Sequence, residues 1–153
     1  MPPETAVSDL TDHLGYWLRL VSNHVSLAFA RRLEGEGASV AEWVLLRRLH
    51  GAGALAPSRL ADEMGMTRGA ISKLADRLEA RGLIARTANP HDARAHTLAL
   101  TPAGTALVPV LARCADANDA EAFGSLSHGE RRQMISLLKA IAERNALGGI
   151  PVS

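Results

Sequence analysis

The sequence predicts a mainly α fold carrying one small β-hairpin. Apolar residues recur at helical spacing through most of the 153 residues. Hydrophobic residues make up 47% and aromatics only 3%, so the core must be built from Leu, Ala, Val and Ile, which favours packed helices over a sandwich. Near the middle of the chain, two short β-compatible runs follow a closely spaced pair of helices.

The elements follow in order. Leu10, Leu14, Trp17, Leu18, Val21, Val25, Phe29 and Leu33 lie at helical spacing, which predicts a long first helix from Asp9 to about Leu33. Gly35 and Gly37 end it. Ser39 and Glu42 form a capping box, each side chain satisfying an orphan backbone N–H, and a second helix runs to about His50. Pro57 opens a short helix that stops at Gly65, because a proline at the first helical position loses no hydrogen bond. Thr67 caps a fourth helix with Ile71, Leu74 and Leu78 as its apolar stripe; it ends at Arg81, with Gly82 suited to a left-handed position. Leu83–Thr87 and Ala95–Leu100 are expected strands, with a polar protruding loop over 88–94 between them. Thr101-Pro102 starts a helix expected to bend at Pro109 and to reach Phe123. Gly124 breaks it, Ser127 and Glu130 form a second capping box, and a last helix is expected to turn Met134, Ile135, Leu138, Ile141 and Ala142 inward. The order of helices, Gly-containing turn and hairpin is that of a winged helix-turn-helix flanked by helices at both ends. The organisation expected is one structural domain in three segments, 1–36 and 101–153 as flanking helices around a winged module at 37–100.

Composition bounds the function. Lys and Arg number 17 against 16 Asp and Glu, a net charge of +1, so the whole chain announces no polyanion partner and the position of the charges must decide. The single cysteine, Cys114, excludes an internal disulfide framework and a multi-cysteine zinc site. There is no basic region followed by an apolar stretch at the amino terminus, and no run approaches the ~18 apolar residues of a membrane span. A soluble, cytoplasmic protein with no membrane partner and no cofactor is expected.

The segment 57–79 separates into two faces. Leu60, Ala61, Met64, Ile71, Leu74 and Leu78 lock its helices together, while Thr67, Arg68, Ser72, Lys73 and Arg77 offer hydroxyls and cations on the other side. Such groups bind phosphates and base edges, and Arg59 on the preceding helix joins the set of expected DNA contacts. From Arg68 to Arg94 the cations Arg68, Lys73, Arg77, Arg81, Arg86 and Arg94 outnumber Asp76, Glu79 and Asp92 by six to three. That local excess is the footprint the whole-chain total hides. Alternating charges on a helix also suit a plain solvated face; the neighbouring turn and hairpin tip the reading toward DNA.

The run from Trp43 to Leu100 resembles MarR-type regulators. The resemblance lies in Leu45-Leu46-Arg47-Arg48-Leu49, Leu60-Ala61, Met66 to Leu74, Asp76 to Ile84, the wing Pro90-His91-Asp92-Ala93-Arg94, and Thr101-Pro102-Ala103-Gly104 beyond it. It implies that the fourth helix enters the major groove of double-stranded DNA and that Arg94 enters the adjacent minor groove. It also implies that Asp92 braces the wing by pairing with an arginine, and that the first and last helices of two chains interlock in a homodimer. Their apolar stripes exceed what a winged module of about 65 residues covers, which points to the same pairing; packing on one another is the alternative. A two-fold dimer would read an inverted-repeat operator, its half-sites roughly 34–36 Å apart.

Weaker signals remain. His13, His24, His50, His91, His96 and His128 show no ligand spacing with a carboxylate or cysteine, so no metal is expected. Cys114 is either an oxidant sensor or a small buried hydrophobe. His13, Tyr16, Trp17, Arg19, His24 and Trp43 combine flat apolar bodies with polar tips, suited to a small aromatic effector carrying a carboxylate or phenolate. The alternative for Trp17 and Trp43 is plain core. The function expected is a sequence-specific transcriptional regulator, a repressor released by such a ligand. A winged-helix protein-interaction module, or a small enzyme using the winged helix to dimerise, is the alternative. Against the enzyme, the chain lacks a Gly-rich phosphate loop, a nucleophile elbow and an acid/base pair.

Overall fold

The computed structural model describes residues 6–89 and 91–153; the side chains of residues 89 and 92–94 lie outside that description. A short 3-10 turn, Leu10–Asp12, precedes α1 (Leu14–Gly35). Then follow α2 (Val40–Leu49), β1 (Ala54–Leu55), α3 (Pro57–Met64), α4 (Arg68–Ala80), β2 (Ile84–Asn89), β3 (Asp92–Leu100), α5 (Pro102–Phe123) and α6 (His128–Arg144). The architecture is the winged helix-turn-helix expected, with helices on both sides. Among the described residues no helix is long and apolar enough to cross a membrane.

The caps fall where side-chain chemistry places them. Ser39 Oγ accepts from the Glu42 N–H at 3.1 Å while Glu42 Oε1 accepts from the Ser39 N–H at 3.1 Å. Ser127 and Glu130 repeat the exchange ahead of α6. The Ser127 hydrogen bonds, backbone before hydroxyl, hold the Glu130 carboxyl below its ordinary range. Gly65 takes a left-handed φ of +61° at the end of α3, and Gly82 one of +71° after α4; both are turns that a Cβ would strain.

The sheet has the order β1-β3-β2, all antiparallel. β1, only two residues long, pairs Ala54 with Ala99 and Leu55 with Leu98; no periodicity shows in two residues, and sequence reading missed it. The hairpin strands also run further than predicted, to Asn89 and from Asp92, with a register shift between Ala88 and Asn89. Backbone pairing does not require apolar side chains, so the polar tip is drawn into the ladder rather than left as a seven-residue loop.

The core sits in the winged module. Leu45, Leu46 and Leu49 of α2, Leu60 of α3, and Ile71, Leu74 and Leu78 of α4 are fully buried with Ile84 and Leu98 of the sheet. Leu33 from the end of α1 and Leu111 from α5 close it. Two expectations need correction. The first helix is not continuous from Asp9: His13 is extended (φ −92°, ψ 125°) and separates the 3-10 turn from α1, because Asp9 and Asp12 cap that turn on their own. And α6 does not turn its stripe inward within the chain. Met134, Ile135, Leu138 and Ile141 are all exposed, and α6 contains no buried residue. Phe123 and Leu126 lie beside Met134, Ile135 and Leu138, and Ala142 is half-buried, so its own chain covers this face only in part. α5 is continuous through Pro109.

Candidate nucleic-acid interface

The helix-turn-helix is fixed from its apolar side. Leu60, Ala61 and Met64 of α3 and Ile71, Leu74, Ala75 and Leu78 of α4 are buried together. At 3.6 residues per turn, burying that arc of α4 places Ser72, Lys73 and Arg77 on the opposite half of the helix; Arg68 stands in its first turn beside the buried arc, and all four are exposed. Thr67, also exposed, accepts the Ala70 N–H at 3.1 Å and so starts the helix.

The charges sort themselves in a way a simple count does not show. Arg81 pairs with Glu42 of α2 at 2.9 Å. Arg86 reaches from β2 to α4, pairing with Asp76 at 2.7 Å and with Glu79 at 3.7 Å. Two of the six cations are therefore engaged, and both carboxylates of α4 share the single charge of Arg86, Asp76 through a hydrogen bond. Arg68, Lys73 and Arg77 make no ion pair among the described residues. What remains open on the solvent face of α4 is a run of cations interleaved with hydroxyls, the donor set that meets phosphates and base edges. Arg86 was not singled out from sequence, although the signal existed. It lies two residues after buried Ile84 on the same face of the strand, which carries it over α4, where Asp76 and Glu79 sit one turn apart.

Arg59 stands differently. Its Nε donates to Glu63 at 3.0 Å, and Arg48 of α2 donates to the same carboxylate at 2.8 Å. These two guanidinium hydrogen bonds, Arg59 first, hold the Glu63 carboxyl below its ordinary range. Arg48 thus ties α2 to α3, while Arg59 pairs within α3 and stays largely open to solvent. Asp92 and Arg94 lie in β3, with side chains outside the described residues.

The residues expected to hold a small ligand are spread along the chain rather than gathered. His13 caps α1 and is exposed, as are Arg19 and His24. Tyr16 and Trp17 meet edge to face with centroids 5.2 Å apart, and the Trp17 indole N–H donates to the Thr11 carbonyl at 3.0 Å. Trp17 is 49% exposed, whereas Trp43 is half-buried against the core. Cys114 is half-buried against the core, its Sγ 3.9 Å from the Arg32 carbonyl oxygen. Among the described residues no three His, Cys, Asp or Glu side chains group as a metal site.

A sequence profile of the MarR family matches residues 36–95, from the turn before α2 into β3. A probable transcriptional regulator from Pseudomonas aeruginosa, known from its crystal structure, is 30% identical, with a TM-score of 0.75 over 87% of this chain and 99% of that one. The chain belongs to the MarR family. Similarity to MarR-family and related regulators extends well beyond the profile. A putative transcriptional regulatory protein for the hcr operon of Thauera aromatica is 28% identical over 144 residues, 94% of this chain and 87% of that protein. The transcriptional repressor NicR of Pseudomonas putida is 25% identical over 148 residues, 97% of this chain and 94% of that one. The structure of Bordetella bronchiseptica BpsR, whose DNA binding is regulated by 6-hydroxynicotinic acid, is 25% identical, with a TM-score of 0.77 over 90% of this chain and 98% of that one. As a MarR-family protein this chain is a transcriptional regulator built to bind DNA, in a family of regulators rather than enzymes.

Proposed function

We propose that this MarR-family chain is a homodimeric repressor that binds an inverted-repeat operator and leaves it when a small aromatic ligand binds. The observation that carries the DNA reading is the exposed surface of α4, where Arg68, Lys73 and Arg77 remain unpaired among the described residues while Arg86 draws in Asp76 and partly offsets Glu79. α4 enters the major groove, with Thr67 and Ser72 beside the three cations. The wing follows the backbone, with Arg94 in the minor groove, Asp92 bracing it and Arg59 at the flank.

The dimer reading rests on uncovered apolar surface. Leu14, Trp17, Leu18 and Val21 on α1 and Met134, Ile135, Leu138 and Ile141 on α6 are all exposed in the single chain, a combined face that a soluble protein covers by association. Residues 1–36 and 101–153 are then the dimerisation segments around the module at 37–100. The same pairing would wall in His13 ahead of α1, the half-buried Tyr16 and the exposed Trp17, Arg19 and His24 on it against a second chain. Trp43, half-buried on α2, would contribute from the module side. Relatives that are repressors, and one regulated by a pyridine carboxylic acid, support this reading.

Selection of bound DNA from a random library, with light scattering on the same sample, tests the proposal. The expected result is a dimer and a two-fold symmetric site. A monomer at micromolar concentration, or selected sites without symmetry, refutes it. For the ligand, benzoate, salicylate and 6-hydroxynicotinate are titrated against tryptophan fluorescence and operator binding. Quenching and release should occur together and be lessened in Trp17→Ala; their joint absence across the panel overturns the ligand reading alone.

A further inference from the structure

A cavity of about 290 Å³ opens beside the winged module, walled by Val25 of α1, Val40 of α2 and Ala115 and Asn118 of α5. Pro151 and Ser153, from the segment after α6, form a further side. Asn118 is 6% exposed, the one buried polar residue among those described. Its amide donates to the Val25 carbonyl at 3.2 Å, and its oxygen has no hydrogen bond among the described residues. Ser26 and Asp119, the latter paired with Arg131, also reach the lining, and a site of this size, near the lower end for small-molecule cavities, suits a small and largely apolar molecule with a polar group able to pair with the Asn118 amide.

The segment that closes the cavity is also fastened to the reading head. After α6 the chain reverses: Ala146 is left-handed (φ 51°), Leu147 N–H donates to the Ala142 carbonyl at 2.9 Å, and Gly149 takes a φ of +87°. Ile150 N–H then donates to the Glu63 carbonyl at 2.8 Å, while Ile150 and Val152 pack against the core. Glu63 lies in the last turn of α3, where carbonyls have no partner inside the helix. The connection immediately beyond, Gly65–Thr67, sets the direction of α4. Within residues 150–153 the chain therefore touches both the end of α3 and the cavity.

We propose that residues 148–153 form a strap that supplies one wall of a small-molecule site and couples the filling of that site to the helix-turn-helix. Its role in a ligand response rests on the function proposed above. A body in the cavity that presses on Pro151 displaces the strap and withdraws the Ile150 N–H from Glu63, leaving that carbonyl without its partner while Gly65 and Met66 still close the helix. α4 then loses one constraint on its direction, and the state that fits DNA is disfavoured only as far as filling favours the displaced strap.

The cavity can be filled from the protein itself. Ala115→Phe, with Ala115→Leu as the gentler step should the larger ring unfold the chain, is made in the full chain, in a variant lacking residues 148–153, and in Ile150→Asp, which detaches the strap at unchanged length. Amide exchange by mass spectrometry and affinity for the selected operator are measured for each. Filling should speed exchange over 148–153 and over 57–64. It should weaken operator binding about tenfold in the full chain and less than twofold in the two strap variants. Unchanged exchange over 148–153 on filling, or an equal loss of affinity with and without the strap, overturns the proposal. If no version binds any DNA, the proposed function fails by itself, and exchange over 148–153 and 57–64 still decides whether filling releases the strap and loosens α3.

Discussion

Replacing Gly104 by alanine sets helix propensity against steric fit, and the structure says which wins. A Cβ at this position meets the Leu83 carbonyl oxygen at 2.0 Å and Leu100 Cδ2 at 3.2 Å. Contacts below 3.0 Å essentially do not occur, so the first turn of α5 must retreat by about 1 Å from the start of the wing. That turn is held to the wing by Thr101, whose N–H donates to the Leu83 carbonyl at 3.1 Å and whose hydroxyl donates to the Gly82 carbonyl at 2.6 Å. The retreat takes both toward the limit of hydrogen bonding, at about 1 kcal/mol each, and overpacking adds roughly 2 kcal/mol. Alanine returns about 1 kcal/mol over glycine in a helix, leaving a net loss of about 3 kcal/mol. Urea unfolding, with both proteins at one concentration because association contributes to stability, should show a lowered midpoint at unchanged slope, and heating a melting temperature lower by roughly 6–12 °C. A loss below about 1 kcal/mol would refute the reasoning, since α5 would then move off the wing at little cost.

Further outcomes follow from the interface. Arg77→Ala should weaken the selected site more than its single-base variants, by about 1–3 kcal/mol of discrimination; an equal loss on all sequences would make Arg77 a phosphate contact only. Arg94→Ala should instead lose preference for A·T steps flanking the half-site. Arg86→Ala removes a pairing worth about 1 kcal/mol or less to folding, yet it frees the charges of Asp76 and Glu79 beside DNA. Operator binding should therefore fall by more than stability does, and Asp76→Asn should restore part of it; no rescue would count against the pairing. The carboxyl of Glu63 is held below its usual range by Arg59 and Arg48. Its contribution to stability is thus full above the unfolded value of 4.5 and fades as pH falls through the lower folded value. Glu63→Gln should flatten the acid limb of a stability profile while leaving the slope between pH 6 and 8 unchanged.

Much of the fold was legible because its signals are local. Ser39 with Glu42, Ser127 with Glu130, and Thr67 before α4 each satisfy backbone donors within three residues, so their roles can be read without knowing what lies across the chain. The same holds for Gly65 and Gly82, whose left-handed turns bracket α4. The apolar stripes of α3 and α4 fixed by periodicity which face of the reading helix is buried, and hence that Ser72, Lys73 and Arg77 are presented together.

What the sequence could not decide depends on which distant groups meet. Counting charges from Arg68 to Arg94 found an excess of cations, but Arg81 meets Glu42 across 39 residues and Arg86 meets Asp76 across ten; only the packing showed which cations stay available. β1 exists because β3 offers it an edge, which two residues cannot reveal in isolation. The inward stripe expected of α6 is exposed, because periodicity says that a face is apolar without saying what covers it. The tail's hydrogen bond from Ile150 to Glu63 joins residues 87 positions apart, beyond any spacing rule. Helix starts, stops and buried faces are set by interactions along the chain and were written in its order. Pairings between charges, between strands and between the tail and the reading head are set by where three-dimensional packing brings the chain back upon itself, and only the tertiary structure decided them.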